Sequence, residues 1–161
     1  MPKPVLNIRE YKNTDNKPLI EMISTVLAEY KMSLDFQDPD KDLKDLQSIY
    51  FNNKGVFFVA ELAGKIIGSV AVSKINDEQC ELRKLYILKE HRGKGFGQIL
   101  LSKAIDFALL NGYIKMELEV SEKHKGAIRL YKKFGFANTG IRSRCPRCDF
   151  IYARELQKER M

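Results

Sequence analysis

Cysteine is scarce in this chain of 161 residues, which has only Cys80, Cys145 and Cys148. Three thiols, an odd number, do not make a disulfide framework, and a chain of this length can build its own core without one. They are expected to be free. Long apolar runs are missing as well. The longest, such as VFFVAEL and KIIGSVAV, stop after a few residues, far short of the roughly 18 to 20 a membrane span requires. The opening MPKPVLNIREYK carries no apolar core of the signal-peptide kind, which sets the expectation of a cytoplasmic protein. No internal repeat, low-complexity tract or Pro/Gly/Ser-rich linker interrupts the chain, and its five prolines fall near expected element ends. With 44% hydrophobic and 30% charged residues, the simplest expectation is a single domain spanning residues 1–161.

Acidic residues are the minority charge, 21 against 28 Lys and Arg, for a formal net charge of +7. That surplus suits an anionic partner of some kind, whether nucleic acid, acidic protein or phosphorylated cofactor. The basic residues are dispersed, with no aromatics interleaved among them on one face, so nucleic acid is not the expected partner.

Periodicity supplies the elements. Leu6 to Lys12 reads as a first strand, and Thr14 and Asp15 as caps for a helix carrying Leu19, Ile20, Ile23, Val26, Leu27 and Tyr30 on one side. PDKDLKDLQSIYFNN begins a second, shorter helix with Leu43, Leu46, Ile49 and Tyr50 together. Val56 to Leu62, Lys65 to Lys74 and Gln79 to Leu88 read as strands joined by short turns, which favours antiparallel pairing. Phe96, Ile99, Leu100, Ala104, Phe107 and Ala108 form a helical stripe that stops at Asn111 and Gly112. Ile114, Met116, Leu118 and Val120 alternate with polar residues as in a strand. A helix from Lys125 to Phe134 ends at Gly135, and strands near Phe136 to Gly140 and Asp149 to Leu156 close the chain. The expected fold class is α/β with a mixed sheet, in the order βααβββαβαββ.

Between the strand ending near Leu88 and the following helix lies Arg92, Gly93, Lys94, Gly95, Phe96, Gly97. Glycines there let backbone approach a ligand, and the free N–H groups and positive dipole end of the helix attract phosphate. An ordinary strand-to-helix turn is the bland alternative. The dinucleotide fingerprint does not fit, because counting from Gly93 places Gln98 where its third glycine belongs. A phosphate-binding loop ending in Gly-Lys-Ser/Thr does not fit either, since Gly97 is followed by Gln98 and Ile99.

The spacing present is Arg-x-x-Gly-x-Gly, and it resembles the pyrophosphate turn of the GNAT superfamily of N-acetyltransferases. ELRKLYILKEHRGKGFGQILL is similar to that family's fourth strand and third helix without a gap, and AIRLYKKFGF to its fourth helix running into the next strand. The element order is also the family's, so the likeness covers essentially the whole chain.

The resemblance implies acetyl-CoA as co-substrate and a primary amine as acceptor. It assigns the backbone of Leu85, Tyr86 and Ile87 to the pantetheine arm, and Arg92, Gly93, Lys94, Gly95, Phe96, Gly97 and Gln98 to the pyrophosphate. It places Tyr131 where a tyrosine can protonate the departing sulfur, and Glu81 where many members carry a glutamate that accepts the amine proton. Glu117 and Glu119 compete for that role, although an alternating strand commonly turns such carboxylates to solvent. His124 stands where many members have asparagine, so its contact with the pantetheine arm competes with a solvated surface role. Cys145 and Cys148 form a C-x-x-C, but a closed zinc site wants about four ligands, and only Cys80, His91 and His124 remain, far upstream. Structural or pocket-lining thiols are expected, with no metal. No membrane partner is expected, and a homodimer is left open. The rivals to an enzyme are a silent acyl-CoA sensor and a basic nucleic-acid-binding module.

Overall fold

Val56, Phe58 and Ala60 face one side of their strand while Phe57 and Val59 face the other, and all five are buried. A strand apolar on both faces belongs inside a sheet that is covered twice. The computed structural model, which describes residues 3–157, has that layered form. Among these residues one sheet of seven strands runs in the spatial order β1-β2-β3-β4-β5-β7-β6. The strands are β1 (Asn7–Glu10), β2 (Val56–Leu62), β3 (Lys65–Lys74), β4 (Gln79–Ile87), β5 (Lys115–Val120), β6 (Ala137–Arg142) and β7 (Phe150–Glu155). Only β4 and β5 pair in parallel. Helices α1 (Asn16–Ala28) and α2 (Leu46–Ile49) cover one face, and α3 (Phe96–Leu110) and α4 (Lys125–Lys133) cover the other. The βααβββαβαββ order and the mixed-sheet α/β class are those read from the sequence.

Local chemistry overrides periodicity in four places. The second helix breaks into a 3-10 turn (Lys41–Lys44), the single turn of α2 and another 3-10 turn (Phe51–Asn53). Asp45 interrupts it with a non-helical backbone and uses its carboxylate to accept the Ser48 N–H at 3.1 Å, the competition with backbone that short acidic side chains offer. Ile49 consequently turns outward, while Leu43, Leu46 and Tyr50 stay buried. Asp15 precedes α1 but caps nothing in it, because its carboxylate accepts two bonds of 2.8 Å from Arg9 and one from the Lys12 N–H. On α3, Ile99 is exposed, and Leu101 and Ile105 join Leu100, Ala104 and Ala108 in the core. The sixth strand runs from Ala137 to Arg142 as an exposed edge, later than the expected Phe136 to Gly140.

One irregularity shapes the site. Ser69 pairs with Tyr86 and Ala71 with Arg83, so β4 holds one more residue than β3 between those points, a β-bulge. Lys84 occupies it at φ +54°, a region unfavourable for a side-chain-bearing residue. What holds it there is a buried ion cluster. The Lys84 ammonium lies 3.0 Å from Asp40 and 3.2 Å from Asp42, and donates to the Pro39 carbonyl at 3.2 Å. Ser69 adds a hydroxyl bond of 2.7 Å to the Lys84 carbonyl. Both aspartates are fully buried. Removing one partner of a buried charge cluster leaves the others uncompensated, so Lys84→Met is expected to destabilise the protein by about 3–5 kcal/mol in urea unfolding.

Candidate active site

Just ahead of the bulge the sheet opens. β4 and β5 pair only from Gln79–Lys115 to Glu81–Glu117, after which the two strands part although both continue. The gap is the floor of a cavity of about 920 Å³, within the size range of small-molecule sites. Its walls come from α1, the loop before Lys41, the glycine turn, α4 and the Arg144 to Cys148 loop. Leu85, Tyr86 and Ile87 line it, and their β5-facing backbone edge has no strand partner.

The glycine turn closes one end. Gly93 and Gly95 adopt φ +76° and +82°, conformations open to glycine, and α3 starts directly after Gly95. From Gly93 onward the first N–H to find a backbone carbonyl is that of Ile99, at 3.3 Å from Gly95. The intervening N–H groups are those a helix start leaves for an anion. Gly97 has a different reason: a Cβ there would come within 3.2 Å of Leu130 and 3.5 Å of Ile87. Lys94 and Gln98 lie outside the lining of the main cavity. The sequence reading gave Arg92 to the pyrophosphate, but its guanidinium is taken in this structure. It makes bonds of 2.7 and 3.0 Å to Glu29 of α1 and one of 2.9 Å to the Ile87 carbonyl.

On α4, Tyr131 lines the cavity, buried and packed edge-on against Phe136 with ring centres 5.9 Å apart. Its hydroxyl makes no hydrogen bond to the described protein, and burial, with Tyr86 and Cys148 nearby, pushes its pKa up, so it stays protonated. His124, just ahead of α4, is half-buried: its ring meets that of Tyr30 at 4.3 Å in a tilted pair and it lines the cavity, with Nε2 buried and unpartnered among the described residues. Burial first, then Arg92 and Lys123, lower its pKa and favour the neutral imidazole.

Glu81 lies at the point where β4 and β5 part. Burial raises its carboxyl to about 7, Arg83 opposes that rise, and Glu119 and Glu117 add to it. The strand β5 carboxylates do not turn to open solvent as alternation suggested; they are half-buried. Glu119 lines the cavity with Glu81, whereas Glu117 is outside the lining and lies 3.7 Å from Lys115.

Cys145 and Cys148 line the same cavity, opposite α1, and Cys80 is buried in the core. The two thiols shift one another: the neighbouring Cys148 lowers the pKa of Cys145, and Cys145 together with burial raises that of Cys148. Among the described residues no group of three or more His, Cys, Asp or Glu is placed to hold a metal, and no helix is long and apolar enough to cross a membrane.

Sequence reasoning missed the Asp40–Asp42–Lys84 cluster and the Glu29 strap, which no spacing rule announces. The bulge did leave a mark. Gly68 sits mid-strand in KIIGSVAV because a Cβ there would stand 2.8 Å from the Tyr86 carbonyl, and a lone strand glycine is the usual sign of close backbone approach.

Comparison with known proteins agrees with this geometry. The model of the acetyltransferase (GNAT) family matches residues 21–136. An uncharacterized N-acetyltransferase of Schizosaccharomyces pombe is 32% identical over 135 residues, covering 83% of each chain. Rat N-acetyltransferase 8F1 is 35% identical over 106 residues, 63% of this chain, which spans 48% of that longer protein. A Staphylococcus aureus acetyltransferase of the GNAT family superposes with a TM-score of 0.86 over 95% of this chain and 100% of its own, at 24% identity. The chain belongs to the GNAT family of acetyltransferases.

Proposed function

We propose that this N-acetyltransferase moves the acetyl group of acetyl-CoA directly onto a primary amine, with no acetyl-enzyme between. The observation that carries the reading is the parting of β4 from β5 beside a helix start rich in free N–H groups. An extended pantetheine arm adds to the bare edge of Leu85, Tyr86 and Ile87 as a further strand. The N–H groups from Gly93 to Gln98 receive the pyrophosphate, and the exposed Lys94 adds charge. Arg92 acts at one remove, strapping the turn to α1 through Glu29. His124 borders the arm as a neutral donor or acceptor.

The chemistry falls to two groups. An ammonium does not attack a thioester, so Glu81, half-charged near neutral pH, takes its proton directly or through a water. Tyr131, held protonated by burial, gives a proton to the sulfur as it leaves. A backbone N–H of β4 serves as donor to the developing oxyanion.

Calorimetry and a coupled assay test the reading. Gly95→Glu is expected to weaken acetyl-CoA binding by about 10- to 100-fold, because it sets a carboxylate against the pyrophosphate. Gly95→Ala carries the same φ strain without the charge and separates strain from repulsion. Equal affinity in Gly95→Glu would remove the cofactor assignment. Release of CoA with a panel of amines separates an enzyme from a sensor.

A further inference from the structure

We propose that the acceptor is an amine that also carries a carboxylate, of the free amino acid kind, and that Arg147 is the residue that receives the carboxylate. This rests on the functional reading above and names its acceptor class. The part of the cavity beyond Glu81 is bordered by the loop Arg144 to Cys148, and that loop faces the Pro39 to Asp42 segment.

Arg147 is fixed but only half used. One terminal nitrogen, Nη2, donates to Asp40 at 2.7 Å, and Asp40 is itself fully buried and held by Lys84 and the Asp35 N–H. The other terminal nitrogen, Nη1, is buried and has no partner in the protein. An arginine is always charged and presents its donors in a rigid fork, so a guanidinium pinned on one side and empty on the other is preorganised for an oxyanion. A buried charged donor left without an acceptor is costly, and a ligand oxygen relieves that cost.

The rest of the lining agrees in sign. Arg144, three residues away on the same loop, makes no ion pair among the described residues. Arg83 donates to the Pro39 carbonyl at 3.3 Å and lies 3.6 Å from Asp42 and 3.7 Å from Glu81. Glu81 and Glu119 line the same cavity, and the amine must lie beside them. A lining that carries carboxylates together with a guanidinium nitrogen lacking a partner complements a ligand that carries both charges. A plain polyamine would set a second cation against Arg144 and Arg147. A peptide N-terminus would offer them a neutral amide.

The test compares free L-amino acids with their own carboxamides, which differ only in that charge. The readouts are CoA release and, independently, the shift in melting temperature on adding each compound to the CoA-bound protein. At least one amino acid is expected to exceed its carboxamide about 10- to 100-fold in kcat/KM, and to raise the melting temperature where the carboxamide does not. Arg147→Gln should bring that preference to near unity, with most of the loss in KM, and Arg147→Lys should restore part of it. Carboxamides or simple amines acetylated as well as the acids would overturn the acceptor class while leaving the acetyltransferase reading intact. Absence of turnover with every amine, in protein that binds acetyl-CoA, would overturn both.

Discussion

Tyr131→Phe lowers kcat by about two to four powers of ten and leaves acetyl-CoA affinity unchanged, the expected size for losing a positioned proton donor. The substitution is unusually clean in this setting. The ring is buried and set edge-on against Phe136, contacts that phenylalanine keeps, and no hydrogen bond to the described protein disappears with the hydroxyl. The melting temperature should therefore stay put or rise slightly. A fall in single-turnover rate without a fall in stability identifies the hydroxyl as part of the chemistry. A Phe variant as fast as the parent would make Tyr131 a core aromatic and nothing more.

Glu81→Gln is expected to slow turnover about 100-fold or more near neutral pH while making the protein more stable. The deficit should shrink at alkaline pH, as an amine with a free pKa near 10.4 loses its proton to solvent. Stability moves the other way. Burial raises the Glu81 carboxyl from an ordinary 4.5 to about 7, so between those values the folded chain binds this proton more tightly than the unfolded chain. Stability contributed by the neutral form is complete below the lower value and lost as pH rises through the upper one. Above it, the charged carboxylate costs the fold about 1–2 kcal/mol, after discounting for the partial exposure of the side chain. Glutamine removes that cost, so its melting temperature should exceed the parent's by a few degrees at about pH 8 and match it near pH 4.5. A rate deficit that stays constant from about pH 7 to 10 would move the base to Glu119 or to a water chain. Glu117 is a poor substitute, since it pairs with Lys115 outside the cavity lining.

The sequence made the fold legible wherever burial is two-sided or periodic. Val56 to Leu62 and Lys65 to Lys74 are strands with the bounds their apolar runs suggest, because the core reads each side chain in turn. Prediction failed where a side chain outbids the backbone, as Asp45 does in the second helix and Arg9 does for Asp15. The site divides in the same way. Glycines in the turn are local requirements of φ and of space, so they show in the string. The long-range partners do not: Glu29 lies 63 residues from Arg92, and Asp40 lies 107 from Arg147. Such pairings depend on which loops the finished sheet brings together, and no window of sequence contains both halves.

The extra residue at Lys84 has a consequence for parity. Before it, the even-numbered Cys80 and Leu82 look toward α3, and Glu81 and Arg83 look toward the loop that carries Asp42. After it the rule inverts: Leu85 and Ile87 pack with the α3 side, and Tyr86 packs with the α1 side. One strand thus changes frame midway, as a reading frame does after a single inserted letter. Deleting residue 84 would leave Leu85 and Ile87 on the α3 side and Tyr86 on the α1 side, and would remove only the bulge and the kink it gives β4 beside the cavity floor. A one-residue length change in the turn at Asn76 to Glu78 adds to a loop and leaves every later face where it was. The extra residue thus bends this strand at the cavity while leaving each later side chain on the face it needs.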